Sequence, residues 1–215
     1  MKRNAFAMKL KEGKRAAYGA LLGENWKELT AQLDAAGFSN FSIWNADDLL
    51  FGYCECADGH ELTEEQWAYF RGLNDKFAKT CDWISEMGKP MRLMYEDFGV
   101  VRESKELIRH RVFMTKLVPG MEEEYKARHD ALVEARNGQI TQGPDSNFSI
   151  WNAGGYIFGY DEIDTTMERE RTQADDDADI AWETRMLEIM SWVTDDVDWI
   201  TKEHHGHVKR ICWHG

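Results

Sequence analysis

A tyrosine and a histidine four residues apart are the side chains in this sequence best suited to acid–base chemistry. Tyr125 and His129 lie in a segment with a helical pattern, so a phenol and an imidazole would be neighbours on one helical face. Imidazole titrates near neutral pH, so His129 could both accept and donate a proton. The same spacing also occurs where a histidine lies at the surface or only packs against a neighbouring element, and these alternatives stay open.

A second set of polar and aromatic side chains alternates along two predicted strands. Alternate residues of a strand share one face, which here combines amides, hydroxyls and indoles. Such a mixture suits a ligand rich in hydroxyl groups, although the indoles could also simply cover a sheet. The set consists of Asn40, Ser42 and Trp44 in the first strand, and Asn147, Ser149 and Trp151 in the second.

The clusters of cysteine and histidine do not predict a metal site. Cys54 and Cys56 are one residue closer than the usual ligand pair, and no second pair at metal spacing follows. His204 and His205 would point to opposite faces of a strand, so at most His205 and His207 could share one, and a loop is favoured. The sequence also contains no Gly-x-Ser-x-Gly motif and no glycine-rich phosphate loop. Acyl and phosphoryl transfer therefore have no support, and we expect no metal and no cofactor.

The elements that must position these residues occur twice. The segment Asn-Phe-Ser-Ile-Trp-Asn-Ala at 40–46 recurs unchanged at 147–153. Seven consecutive identities indicate a tandem duplication rather than chance. Without any gap, the same offset also matches Phe6 with Phe113, Gly13 with Gly120, Tyr18 with Tyr125, and Phe51-Gly52-Tyr53 with Phe158-Gly159-Tyr160.

Each copy has the pattern of a ferredoxin-like unit. In the first copy, residues 3–10 alternate as a strand does, and a helical pattern of about 20 residues follows. The strands around 40–46 and 49–56 form a predicted hairpin. A second helix is predicted over 63–86 and a last strand over 91–95, which gives the order β-α-β-β-α-β.

This organisation predicts two domains and an α+β fold. The domains are 1–98 and 108–215, and residues 96–109 form the connector. Two ferredoxin-like repeats in one chain can pack sheet against sheet as an intramolecular dimeric α+β barrel.

The second copy differs from the first in ways that bear on function. Its first helix should end near Arg136, because Asn137-Gly138 follows. Matching Asp82-Trp83-Ile84 to residues 198–200 leaves extra residues before them in the second copy. The acidic run 175–179 is the candidate insertion. Such a run is more typical of a solvated loop or helix start than of a cation site. The position that corresponds to His129 is Leu22, so the first copy lacks the imidazole.

Composition excludes several classes of protein. The chain has 215 residues, 43% hydrophobic composition and a formal net charge of −13, which favours a packed core and would repel a phosphate backbone. No apolar segment approaches the roughly 20 residues of a membrane span, and the first residues lack the apolar core of a signal peptide. We expect a cytoplasmic protein with reduced cysteines that binds neither nucleic acid nor membranes.

At this point the sequence resembles the L-rhamnose mutarotases. The first copy follows that family in residues 3–8, in the helix Tyr18…Trp26-Lys27-Glu28-Leu29 and in the strands 40–44 and 49–53. The second copy follows it in Phe113, Tyr125, His129, 147–150 and Phe158. The resemblance implies a dimeric α+β barrel that interconverts the α and β anomers of L-rhamnose as a homodimer without a metal. Here the fused copies would replace the homodimer, and further association of the chain is possible.

The resemblance also implies roles for particular residues. His129 falls on the position of the proton donor, and Tyr18 and Tyr125 fall on that of a helix tyrosine which binds the sugar. Phe41 and Phe148 replace the family's strand tyrosine, and Thr80-Cys81 stands near the position of its tryptophan pair. With the residues of the polar face, the expected substrate-binding set is Tyr125, Tyr18, Phe148, Phe41, Asn147, Trp151 and Trp44.

The leading hypothesis is therefore a mutarotase acting on a 6-deoxyhexose such as L-rhamnose, with a monosaccharide as its partner and His129 as its acid–base residue. One alternative is a sugar-binding or regulatory protein that kept the fold and lost the chemistry. Another is a small-molecule monooxygenase or a heme-degrading protein, since the same barrel occurs in both.

Overall fold

Helices and strands follow one another in the same order in both halves of the chain. The computed structural model describes residues 1–194 and 207–215. Within these residues the elements are β1 (Lys2–Leu10), α1 (Arg15–Ala35), β2 (Ser39–Ala46), β3 (Leu49–Cys56), α2 (Glu64–Phe77), β4 (Cys81–Trp83), β5 (Arg92–Asp97), β6 (Ile108–Leu117), α3 (Glu122–Ala135), β7 (Asp145–Ala153), β8 (Tyr156–Asp164), α4 (Gln173–Met186), β9 (Met190–Thr194) and β10 (Lys209–His214).

The chain divides into two compact units, each with one five-stranded antiparallel sheet. The first unit comprises residues 1–91 and 209–215, and its strand order is β10-β2-β3-β1-β4. The second comprises residues 92–208, with the order β5-β7-β8-β6-β9. Four strands of each sheet have the ferredoxin-like arrangement, and the fifth is added at the edge beside β2 or β7. The α+β fold class with two ferredoxin-like repeats is thereby confirmed.

In each unit the core lies between one face of the sheet and the helices. Along α1, the buried side chains recur three or four residues apart and include Tyr18, Leu22, Leu29 and Leu33. They pack with strand residues such as Phe41. The second unit has the same kind of core, in which residues of α3 and α4 pack against alternate residues of the strands.

The fifth strand of each sheet comes from the end of the other repeat. Strand β5 follows the first repeat in sequence but pairs with β7 in the second unit, and β10 pairs with β2 in the first unit. The predicted strand over 91–95 therefore exists but does not belong to the sheet of its own repeat. Because of this exchange, the boundaries of the compact units differ from those of the predicted domains 1–98 and 108–215. The predicted domains describe the two copies of the sequence repeat.

Two expectations about the end of each repeat are wrong. The helix predicted over 63–86 ends at Phe77, and the short strand β4 follows it. The sequence match of Trp83 to residue 199 is also wrong, since Trp83 pairs with Met8 in β1 and its counterpart, Trp192, pairs with Thr115 in β6. Asp198-Trp199-Ile200 lies outside the described residues.

The acidic run at 175–179 lies in the first turns of α4, as the helix-start alternative predicts. The Thr172 hydroxyl accepts a hydrogen bond from the backbone N–H of Asp175, whose carboxylate in turn accepts from the Thr172 backbone N–H. Carboxylates at this end also interact favourably with the helix dipole. Helix capping thus explains Asp175, and Asp176 and Asp179 form ion pairs with Arg171. Across residues 1–194 and 207–215, every helix is too short or too polar to cross a lipid bilayer.

Candidate functional site

The imidazole of His129 lies inside the second unit, on the face of α3 that packs against the sheet. Its side chain is buried, with 4% of the residue exposed. Nδ1 lies 2.9 Å from the backbone carbonyl oxygen of Tyr125, one helical turn earlier. A carbonyl oxygen can only accept a hydrogen bond, so Nδ1 carries the proton and the lone pair of the neutral ring is on Nε2.

Burial determines the protonation state of this histidine. Removal from water disfavours the imidazolium and lowers the pKa of His129 to about 4, although the hydrogen bond to the Tyr125 carbonyl opposes the shift. His129 is consequently neutral at physiological pH, with Nε2 available as a base. Burial also raises the pKa of the Tyr125 phenol, and the nearby charge of Glu183 adds to that effect, so this phenol stays protonated.

Aromatic rings surround His129. The Tyr125 ring stacks on the imidazole with centroids 4.3 Å apart, and Trp182 of α4 meets it edge-on at 5.1 Å. Tyr95 of β5 approaches it at 5.3 Å and contacts Phe148 of β7 at the same centroid distance. Of the predicted site residues, the structure therefore brings His129, Tyr125 and Phe148 together in one apolar, aromatic environment.

Tyr95 belongs to this environment but was not identified from the sequence. It is half-buried, the Arg136 guanidinium lies 5.4 Å from its ring centroid, and its burial raises the pKa of the phenol. The strand exchange brings it there, since β5 follows the first repeat in sequence. The signal that could have indicated it is the replacement of the family's strand tyrosine by Phe148, which leaves a phenol to be supplied from elsewhere.

A buried carboxylate on α4 also lies in this region. Glu183 is 5% exposed and accepts a hydrogen bond from the indole N–H of Trp192. In the first unit the equivalent pair is Trp83 and Asn74, whose side-chain oxygen lies 2.7 Å from the indole nitrogen. The first unit therefore has an amide where the second has a carboxylate.

The equivalent positions of the first unit contain no group that exchanges protons near neutral pH. Leu22 occupies the position of His129, and Cys212 occupies that of Tyr95, because Cys212 pairs with Ile43 as Tyr95 pairs with Ile150. Burial raises the pKa of the Cys212 thiol to about 12. Tyr18 and Phe41 lie together in this core. The two units thus share a scaffold and differ in chemistry.

The remaining predicted site residues lie on the opposite face of each sheet. The indole N–H groups of Trp44 and Trp151 donate to the hydroxyls of Ser42 and Ser149, at 3.0 Å in both units. The side-chain amide of Asn147 donates to Glu162. Strand alternation directs these side chains away from His129, so the structure does not bring Trp44, Trp151 or Asn147 to the imidazole.

No group of three or more histidine, cysteine, aspartate or glutamate side chains that could hold a metal ion occurs within the described part of the chain. Cys54 and Cys56 are buried, and burial raises the pKa of the Cys54 thiol to about 12, which disfavours the thiolate that a metal needs. His204 and His205 of the histidine cluster lie outside the described residues.

Comparison with solved structures gives two distant matches. The crystal structure of an L-rhamnose mutarotase from Formosa agariphila is 24% identical over 41% of this chain and 98% of that chain, with a TM-score of 0.30. A structure named as a monooxygenase, from Fusobacterium nucleatum, is 10% identical over 88% of this chain and 87% of that chain, with a TM-score of 0.42. A search of curated proteins finds no match.

Comparison with protein families is more informative. The family described as L-rhamnose mutarotase matches residues 3–103 and again residues 110–211. The two matches correspond to the two copies of the repeat and together cover nearly the whole chain. The chain therefore belongs to the L-rhamnose mutarotase family.

Proposed function

We propose that the chain is a sugar mutarotase whose reaction takes place in the second unit, at His129. The observation that carries the proposal is a buried, neutral imidazole with a free Nε2 lone pair, enclosed by tyrosine and tryptophan rings. Membership of the family supports the reaction class. The proposed substrate is a 6-deoxyhexose such as L-rhamnose.

In the first half of the proposed reaction, His129 acts as a base. Nε2 takes the proton of the anomeric hydroxyl while the bond between C1 and the ring oxygen breaks, which forms the aldehyde. The ring oxygen receives a proton from a second donor, for which a water molecule or the Tyr95 phenol is suited. The products of this half are the open-chain sugar, an imidazolium and a deprotonated donor.

In the second half, the sugar rotates about its C1–C2 bond and the ring closes on the other face of the carbonyl. The hydroxyl that attacks C1 returns its proton to the second donor, and the imidazolium returns its proton to the carbonyl oxygen. His129 is thus the base on opening and the donor on closure. The catalyst ends in its initial state, so no cofactor or net proton is consumed.

The rings around His129 support a deoxysugar as substrate. Phe148 offers no hydrogen bond where the family has a tyrosine, and a pocket discriminates strongly when a hydrogen-bonding group is gained or lost. Aromatic faces suit the C–H faces and the methyl group of a deoxyhexose. The Tyr95 phenol would supply the hydroxyl contact that Phe148 cannot.

The test of the proposal is a direct measurement of anomer exchange. Saturation-transfer NMR on the α and β anomers of L-rhamnose, with and without the protein, measures the rate constant of interconversion. We expect the protein to increase it, and L-fucose, glucose and galactose define the selectivity. If the protein accelerates none of these sugars, the proposal is wrong and the non-catalytic alternative is favoured.

The low pKa of His129 predicts an unusual pH profile. Because only the neutral imidazole can act as the base, kcat/KM for mutarotation should stay constant down to about pH 5 and fall as the pH drops through about 4. A solvent-exposed histidine would give an acid limb near 6.5. The measurement is kcat/KM between pH 3.5 and 8, corrected for the uncatalysed rate at each pH.

Protein stability provides the control for this profile. The pKa of His129 is lower in the folded state than in the unfolded chain, so its contribution to stability is complete above pH 6.5 and is lost as the pH falls towards about 4. The size of the contribution is about 3 kcal/mol. His129→Leu should flatten this part of the stability profile. An acid limb of kcat/KM near 6.5, together with a stability profile that His129→Leu leaves unchanged, would contradict the burial argument.

Replacement of Tyr95 by phenylalanine tests the proposed role of the exchanged strand. We expect Tyr95→Phe to weaken transition-state binding of L-rhamnose by roughly tenfold in kcat/KM, the effect of one lost hydrogen bond to a sugar hydroxyl. Cys212→Ser, at the equivalent position of the first unit, is the control and should leave the rate unchanged. Restoration of the rate by Phe148→Tyr in the Tyr95→Phe background would identify the lost phenol as the cause, whereas an unaffected single variant would contradict the role.

A further inference from the structure

The first unit contains a groove between α1 and the exchanged strand β10. Its volume is about 540 Å³, within the range of cavities that bind small molecules. Residues of α1 form one wall, residues of β10 form the other, and Leu10, Asn45 and Leu50 of the sheet also line it. Every lining residue belongs to the first unit.

Two glycines in the middle of α1 keep this groove open. Gly19 and Gly23 line it, and a methyl group added to either would meet no atom within 4 Å. Glycine inside a helix is less favourable than alanine by about 1 kcal/mol, so these two residues do not stabilise the helix. Their counterparts in the second unit, Lys126 and Asp130, form an ion pair at 2.6 Å along α3. The groove is therefore a feature of the first unit that costs helix stability.

The Tyr18 hydroxyl adds a polar group to the groove. Tyr18 lines it with only 3% of the residue exposed, and its hydroxyl forms no hydrogen bond with the described part of the chain. The hydroxyl can donate one hydrogen bond and accept others, so it can bind a ligand in the groove. Trp26 of α1 also lines the groove, and its indole face suits the C–H face of a sugar ring.

The charges that line the groove are all positive. Arg15 and Lys209 are its charged residues, and it has no lining carboxylate, although the chain as a whole has a formal net charge of −13. Both side chains are exposed; the Arg15 guanidinium donates a hydrogen bond to the Asp47 carbonyl oxygen and has further N–H groups for a ligand. Guanidinium and ammonium groups bind phosphate and carboxylate oxygens through charge-assisted hydrogen bonds.

We propose that this groove is a second, non-catalytic binding site for a sugar that carries an anionic group, either a phosphate or a carboxylate. The sugar ring lies against the Trp26 indole, the Tyr18 hydroxyl accepts from or donates to a ring hydroxyl, and the anion binds at Arg15 and Lys209. Leu22 provides no proton, so the ligand binds without being converted. The inference does not depend on the proposed mutarotase activity, because the groove and its test concern binding in the first unit.

The first experiment measures the ligand class. Isothermal titration of the full chain with a hexose 6-phosphate, a hexuronate and the neutral hexose gives three dissociation constants. We expect at least one anionic sugar to bind roughly tenfold or more tightly than the neutral sugar, with the two anions distinguishing phosphate from carboxylate. Equal affinities for all three, or no binding of either anion, would overturn the proposal.

The second experiment locates the anion. Lys209→Gln should weaken binding of the anionic sugar by roughly tenfold and leave the neutral sugar unaffected. Lys27→Gln is the control, since Lys27 is an exposed cation of the first unit, on α1, that does not line the groove. An equal loss in both variants would show a general charge effect and would contradict the site.

The third experiment closes the groove. The double variant Gly19→Lys, Gly23→Asp reproduces the ion pair of the second unit, and we expect it to abolish binding of the anionic sugar while Tm stays equal or rises. The far-UV circular dichroism spectrum should be unchanged, which shows that the double variant is folded. Undiminished binding in a folded double variant would place the anionic ligand elsewhere.

Discussion

Replacement of His129 by leucine should lower the rate of anomer exchange by about 10²–10⁴-fold, the usual contribution of one acid–base group. The variant removes both nitrogens and leaves a side chain that cannot carry a proton. Leucine is a suitable replacement because Leu22 occupies the equivalent buried position of the first unit. NMR of the two L-rhamnose anomers measures the effect, and circular dichroism verifies the fold.

The matched control for this prediction is Leu22→Ala, which alters the same position in the first unit. It should leave anomer exchange within about twofold of the unmodified chain, since the first unit lacks a proton-transfer group at this position. Retention of the full rate by His129→Leu would place the reaction elsewhere. Loss of the rate in Leu22→Ala alone would show that the reaction takes place in the first unit and that its assignment to His129 is wrong.

Substitution of Gly159 by alanine should lower the free energy of unfolding by about 3 kcal/mol, since overpacking in a core costs amounts of this order. A methyl group at this position would lie 2.0 Å from Cε1 of Phe113, far inside van der Waals contact. The Phe113 ring cannot easily move, because it packs against Phe148 and Trp192. Urea denaturation measures the change in stability.

The same substitution should also reduce mutarotation, because Phe148 in turn contacts Tyr95 beside His129. Gly143→Ala is the control: its added methyl group would meet only Thr141, at 3.9 Å, and its backbone conformation is accessible to alanine. We expect that variant to change stability by less than about 0.5 kcal/mol. Equal stability of the two variants would contradict the close packing of Phe113 over Gly159.

The repeat and the alternation of its residues were sufficient to predict the main elements. Strands such as β2 and β7 alternate apolar and polar residues with period two, so one face must pack and the fold class follows. Helix spacing likewise predicted that Tyr125 and His129 are neighbours, and the stacked rings confirm the contact. These features depend on residues close together in sequence, where geometry is nearly independent of the rest of the chain.

The residues that make up the site around His129 were harder to predict from the sequence. The polar face of Asn147, Ser149 and Trp151 is suited to a ligand by residue type, but its side chains bond to one another and to Glu162 on the face opposite His129. Residue type predicts what a group can bind. Which face it shares with a distant helix depends on packing between elements.

The sequence by itself determined the duplication, the ferredoxin-like order of elements and the presence of a helical imidazole in the second copy only. The tertiary structure alone decided that β5 and β10 join the sheet of the other repeat, that Tyr95 therefore meets His129, and that Trp192 is the counterpart of Trp83. The physical reason is that a strand's own residues specify its two faces but not its neighbour, because backbone hydrogen bonds are the same at any open sheet edge. Packing across the whole core decides which sheet edge a strand joins. It thereby also decides which residues belong to the site.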